Sequence, residues 1–260
     1  MAEKETAASG SIWYHITELR SRLLKAVIAL AITSAVSFYL GERLIYLLVQ
    51  PLGGIDKVQS IEVTENIGVF MRVSLLSGFI LGFPFILYQL LAFVLPGLTS
   101  RERKWLLWSI PFATILFVCG VAFSYFFMLP TAVTFLVSFM GIPNTPRLSN
   151  YINFVTSLLF WSGVSFEMPL LVFILAKLRF VTGRILLRYW RVAIVLIAIL
   201  AAFISPTVDP INMVILMAPL IFLYFLSVLM AFIAVPKKDN TTALSAKKTT
   251  RKRWFARRKA

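Results

Sequence analysis

Residues 152–176 read INFVTSLLFWSGVSFEMPLLVFILA, 25 residues with one charged side chain, Glu167. Crossing about 30 Å of hydrocarbon takes roughly 20 helical residues at ~1.5 Å each, so this run is long enough to span a bilayer as a helix. Its centre holds the informative chemistry. Glu167 lies deep in the apolar run, where an ionisable group is costly and needs a partner or water. Pro169, two residues on, leaves a backbone carbonyl about a turn earlier without its usual donor, which gives a polar pocket around Glu167 a physical origin. A helix-packing hydrogen bond with no wider role is the competing explanation.

Five further runs bounded by charges, turns or prolines flank this one: Leu23 to Leu40, Ile67 to Leu95, Trp105 to Leu129, Val192 to Ile204 and Met213 to Val235. The expectation is an all-α membrane protein of six transmembrane helices. The fifth run covers only about 20 Å, which implies a locally thinned bilayer. Composition agrees: 59% of the 260 residues are apolar, 23 are phenylalanine and mean hydropathy is +0.85. Such a chain has too little polar surface to cover a water-soluble globule. Pro84, Pro111, Pro130, Pro169 and Pro219 fall inside the runs and each removes a backbone donor, which predicts a kinked, open bundle. No internal repeat is visible, so the inverted halves of many secondary transporters find no counterpart.

Orientation follows from lysine and arginine, which are enriched in cytoplasmic loops. With both ends inside, the cytoplasmic segments hold Lys4, Arg20, Arg22 and Lys25, then Arg101, Arg103 and Lys104, then Lys177, Arg179, Arg184, Arg188 and Arg191. Ten more follow Pro236. The other side keeps Arg43, Lys57, Arg72 and Arg147 against Glu42, Asp56, Glu62, Glu65 and Asp209. The expected organisation is a cytoplasmic amphipathic helix over residues 1–22, a six-helix membrane domain over 23–235 and a disordered basic tail over 236–260. The net charge of +15 therefore points to topology and anionic lipid rather than nucleic acid. Residues 41–66 form the longest external connection, with alternation over Val58 to Val63 that suggests a small cap. The first apolar run lacks a small-residue cleavage site, and no Arg/Ser-rich transit sequence is present, which favours a prokaryotic plasma membrane.

Three other acids draw attention. Glu18 lies on an amphipathic stretch and is spaced to pair with Arg22 along a helix. Glu102 completes Thr99-Ser100-Arg101-Glu102, a capping-box pattern; the alternative is a rim carboxylate that receives an arginine from a ligand. Asp209 sits in a tight external turn and is a candidate cap for the sixth helix. An enzyme is not expected. The one histidine, His15, precedes the first run, the aspartates Asp56, Asp209 and Asp239 lie in loops, and no metal cluster, nucleophile–base set or phosphate loop is present, so no metal and no cofactor is expected. Cys119 lies in an apolar run and has no disulfide partner. With Glu167 in the membrane, a proton-coupled secondary transporter or channel is an alternative function.

Four segments carry a family resemblance: HITELRSRL at 15–23, FPFILYQ at 83–89, AFVLPGL at 92–98 and GVSFEMP at 163–169. In this order, set among six runs, they resemble the signatures of the TatC family, the core subunit of the twin-arginine protein translocase. The resemblance covers His15 to about Val235. It implies a receptor for twin-arginine signal peptides that assembles single-span TatA/TatB-type partners in a multimeric complex, and that exports folded proteins using the proton-motive force. It also implies that Glu18 and Glu102 line the site for the paired arginines, that Arg20 and Phe93 shape it, and that Glu167 meets a signal peptide or a partner helix in a concave face. Asp209 transfers less directly, because the family turn reads Thr-Pro-Pro-Asp where this chain has Ser205-Pro206-Thr207-Val208-Asp209.

Overall fold

The computed structural model describes residues 2–94, 100–138, 145–178, 180–204 and 210–234. These residues are helical throughout, apart from short connections. In chain order the helices are α1 (Ala2–Val49), α2 (Glu65–Val94), α3 (Ser100–Phe123), α4 (Leu129–Ser138), α5 (Leu148–Phe166), α6 (Met168–Lys177), α7 (Gly183–Arg188), α8 (Trp190–Ile204) and α9 (Pro210–Ala234). A π-helical segment, Ser124–Met128, joins α3 to α4 without a break. Five stretches are long and apolar enough to cross a membrane: Ile16–Leu52, Glu65–Phe93, Leu107–Val137, Leu148–Lys177 and Met213–Ala234. The shorter Trp190–Ala202 is the sixth, the short fifth span expected from the sequence. Side chains such as Leu196, Phe222 and Phe126 are 60–68% exposed, as lipid-facing groups must be.

The first helix is longer than its apolar run. Gly41, followed by Glu42 and Arg43, reads as a stop, yet α1 continues to Val49. Gly41 is there for proximity rather than for a turn. A Cβ on it would fall 2.5 Å from the Phe70 ring, and one on Gly78 would fall 2.5 Å from the Ser34 Cα. Small residues let helix backbones meet in lipid, where van der Waals contact replaces the hydrophobic drive. Ser34, Ser37 and Ser74, all buried, complete the α1–α2 seam.

At its far end α1 must give up its last carbonyls. Pro51 has no N–H for the Leu47 carbonyl, and the Tyr125 hydroxyl donates to that oxygen at 2.9 Å. The Tyr151 hydroxyl donates to the Leu48 carbonyl at 2.8 Å. Gly53 and Gly54, at φ 104° and 111°, then turn the chain. The alternating stretch at Val58 to Val63 forms no strand; among the described residues its one pairing is a bridge between Gln59 and Arg147, made by Gln59 N–H to the Pro146 carbonyl and Leu148 N–H to the Gln59 carbonyl.

The prolines act unequally. Pro84, Pro111 and Pro219 sit inside uninterrupted helices. Pro130 follows the π segment, in which the Leu129 N–H reaches back to the Ser124 carbonyl. Pro169 marks a true break. The Glu167 N–H bonds the Val164 carbonyl at 3.1 Å, and α6 starts afresh at Met168.

Three clusters hold the bundle. The largest joins α1, α2, α4, α5, α8 and α9 through Val49, Val73, Leu129, Ile152, Val155, Ala201 and Leu216. A second joins α2, α3 and α6, with Phe83 stacked on Phe117 at 3.8 Å between centroids. The third rests on Ala176, Ala231 and Ala234, where α6 meets α9.

Candidate functional site

Helix geometry brings three of the sequence candidates, Glu18, Phe93 and Glu102, to one end of the bundle. Thr33 of α1 lies against Gly82 of α2 and Ser34 against Gly78, so the two helices run antiparallel. Glu18 lies 15 residues before Thr33, and Phe93 lies 11 residues past Gly82. At ~1.5 Å per residue these are about 23 and 17 Å from the crossing, in the same direction. Phe93 is half-buried near the end of α2. Glu102 occupies the first turn of α3 on that end, with its side chain outside the described residues.

The Glu18 carboxylate is only partly used. Arg22 donates from Nε at 3.0 Å and from Nη2 at 2.6 Å, both to Oε1. Its Oε2 is buried and accepts no hydrogen bond among the described residues, and the side chain is 15% exposed. Thr17, Glu18, Ser21, Arg22 and Lys25 line a cleft of about 310 Å³ beside it. Arg20 is exposed and lies about 200° around α1 from Glu18, so the helix does not bring these two together. The spacing that identified the Glu18–Arg22 pair was sound; what it could not show is the unshared oxygen.

Glu167 is 6% exposed and stands at the α5–α6 break. Its Oε1 has no hydrogen-bond partner among the described residues. The sequence reason is local: Pro169 cannot donate to the Ser165 carbonyl, and the turn this creates carries the acid. Asp209 lies outside the described residues. Among the described residues no cluster of three or more His, Cys, Asp or Glu could hold a metal ion.

Sequence reasoning missed a second polar centre at the opposite end. Glu65, whose side chain is wholly buried, accepts from Ile61 N–H at 3.0 Å, Glu62 N–H at 3.3 Å, Ser149 N–H at 2.7 Å and Arg147 Nε at 3.1 Å. Arg147 also reaches Glu62 at 2.7 Å. Hydrogen bonds to Glu62 and then Glu65 push the Arg147 guanidinium up from its ordinary value, so it stays charged. The only sequence signal was that acids and a base recur on the same side.

Comparison with known proteins decides the family. The family profile for Sec-independent protein translocase protein (TatC) matches residues 14–219. The chain belongs to the TatC family. Members carrying the name Sec-independent protein translocase protein TatC include those of Carboxydothermus hydrogenoformans, 34% identical over 88% of this chain and 95% of the relative, and Deinococcus radiodurans, 37% identical over 86% of each. The chloroplastic TATC of Pisum sativum is 33% identical over 82% of this chain and 62% of its own. Two crystal structures of a twin-arginine translocase receptor, TatC, one of them in DDM, superpose with TM-scores of 0.75 and 0.76 at 31% identity. They cover 85% and 84% of this chain, and 99% of each solved chain is matched. This TatC-family chain is therefore a six-span membrane protein of the Sec-independent protein-transport machinery.

Proposed function

We propose that this chain is the receptor and core subunit of a twin-arginine translocase, and that the Glu18 end of the bundle binds the paired arginines of a signal peptide. The supporting observation is the free Oε2 of Glu18, on the level that α2 reaches at Phe93 and α3 leaves at Glu102. A carboxylate with an unpaired oxygen accepts a guanidinium in a charge-assisted bond once the side chain turns toward the ligand, and the partly exposed Arg22 pair that resists this turn is worth only about 0.3–0.5 kcal/mol. Glu102 supplies the second acid and Phe93 bounds the site, with Arg20 outside it on another face of α1. The lysine and arginine asymmetry supports a cytoplasmic face here and both termini inside a prokaryotic plasma membrane. Residues 1–22 serve as an interfacial helix, 23–235 as the membrane domain and 236–260 as a basic tail on lipid. Single-span TatA/TatB-type subunits assemble around Glu167 and draw on the proton-motive force, with Asp209 capping the last helix.

Glu102→Lys is expected to abolish binding of a twin-arginine peptide while helical content by circular dichroism is kept; unchanged binding argues against the site. A photocrosslinker at Phe93 should capture a twin-arginine precursor and fail with a twin-lysine one. Glu167→Ala should leave that capture intact and weaken crosslinking to the single-span partners. The unpaired oxygen of Glu167 also favours a second reading, a proton-coupled transporter, which predicts solute flux by the purified chain in liposomes.

A further inference from the structure

α7 does not lie flat across the end of the bundle. Gly183 packs on Phe232, whose ring would be 2.8 Å from a Cβ placed there, while three residues later the Leu186 carbonyl accepts the Tyr224 hydroxyl at 2.7 Å. Phe232 and Tyr224 are separated by about 12 Å along α9. α7 therefore descends beside α9, and α8 begins at Trp190 well inside the level at which α9 ends. The shortness of α8 follows from this descent.

The descent carries three arginines with it. Arg184, Arg188 and Arg191 are exposed; the first two share a face of α7 at a spacing of four, and Arg191 lies in the first turn of α8, just past the turn at Tyr189. From Arg191 a stripe runs down α8 through Val195 and Ile199, 58% and 61% exposed, which is the face lipid tails must cover. Helical side chains lean toward the N-terminus of their helix, so the guanidinium groups rise toward the Gly183 end. No acid is at hand. Residues 168–204 and 210–234, which supply α6 to α9, contain no Asp or Glu, and the ion pairs among the described residues lie elsewhere. Arg191 stands over the Trp190 ring at 5.6 Å.

We infer that α7 and the first turn of α8 form a binding site for an anionic phospholipid, its phosphate held by Arg184, Arg188 and Arg191 and its acyl chains laid along Val195 and Ile199. Charge and depth select this occupant. A partner protein would have to bring its own acids to a lipid-facing level, whereas a phospholipid brings phosphate and apolar chains together in that order.

The test uses the full-length chain with the basic residues at 237, 238, 247, 248, 251–253 and 257–259 changed to Gln, so that the tail contributes no positive charge. This parent and its Arg184→Gln/Arg188→Gln/Arg191→Gln variant are released from nanodiscs of phosphatidylcholine and phosphatidylglycerol, and the lipids retained are counted by native mass spectrometry. The parent should keep phosphatidylglycerol in preference, with the preference falling about fivefold for each arginine removed. Arg188→Gln alone and Arg188→Lys serve if the triple variant loses helical content; the first should lose one such step and the second should keep most of it. A helical variant that retains phosphatidylglycerol like its parent overturns the site. So does a parent that ignores phosphatidylglycerol yet captures an acidic helix through the same arginines.

Discussion

The Glu65 carboxylate has four donors arranged around it from two parts of the chain, 61–62 and 147–149, and Arg147 bridges it to Glu62. Removing the acceptor leaves three backbone N–H groups and the Arg147 guanidinium without it at once, whereas Glu62 is 62% exposed at its side chain and loses only a solvent-screened contact. Glu65→Ala should therefore lower the melting temperature in detergent clearly more than Glu62→Ala does. A second residue-scale expectation concerns the two tyrosines. Tyr151→Phe should cost about 1 kcal/mol through the orphaned Leu48 carbonyl, read from the same melts. Tyr125→Phe should cost less in a Pro51→Ala background, where a restored N–H can serve the Leu47 carbonyl; a double-mutant cycle measures that coupling. None of these bonds was legible in the sequence, because Glu65 and Arg147 are 82 residues apart and the tyrosine–carbonyl pairs 78 and 103. Glu167 was legible, because its signal, an acid beside a proline in an apolar run, is local.

At the scale of elements, periodicity and length located all six spans, but charges and glycines misplaced their ends. Gly41 was read as a stop because the sequence cannot show that Phe70 stands against it. The same seam yields a prediction. Gly78→Ala puts a methyl group against the Ser34 backbone and should destabilise the bundle by about 1–3 kcal/mol, whereas Gly68→Ala, with open space around its Cβ, should be near neutral. Thermal melts of the two variants in one detergent compare them directly. The prolines teach a related lesson: only Pro169 breaks its helix, and Pro130 follows a π segment, although the sequence treats all five alike.

For the molecule as a whole, the charge asymmetry makes a prediction that the helices alone do not. In sealed cells, a cysteine at Arg103 in a Cys119→Ala background should resist a membrane-impermeant maleimide, and one at Asp56 should react. The reverse pattern would invert the bundle and move the Glu18 end outside. Much of the proposed arginine site was readable, since Phe93 and Glu102 lie near helix ends and the antiparallel α1–α2 pair brings Glu18 to the same end of the bundle. What was not readable is the unpaired Glu18 oxygen, which depends on how Arg22 happens to fork, and the descent of α7, which depends on a tyrosine 38 residues away.

The glycine–serine seam between α1 and α2 also bears on how the chain is made. These helices are neighbours in sequence and touch backbone to backbone, so their hairpin is complete once residue 94 has been synthesised. α9, whose alanine contact with α6 has to wait for the last span, joins at the end. Ribosome-stalled intermediates should thus acquire protease resistance first in the amino-terminal hairpin, and a Gly78→Ala chain should delay that earliest step.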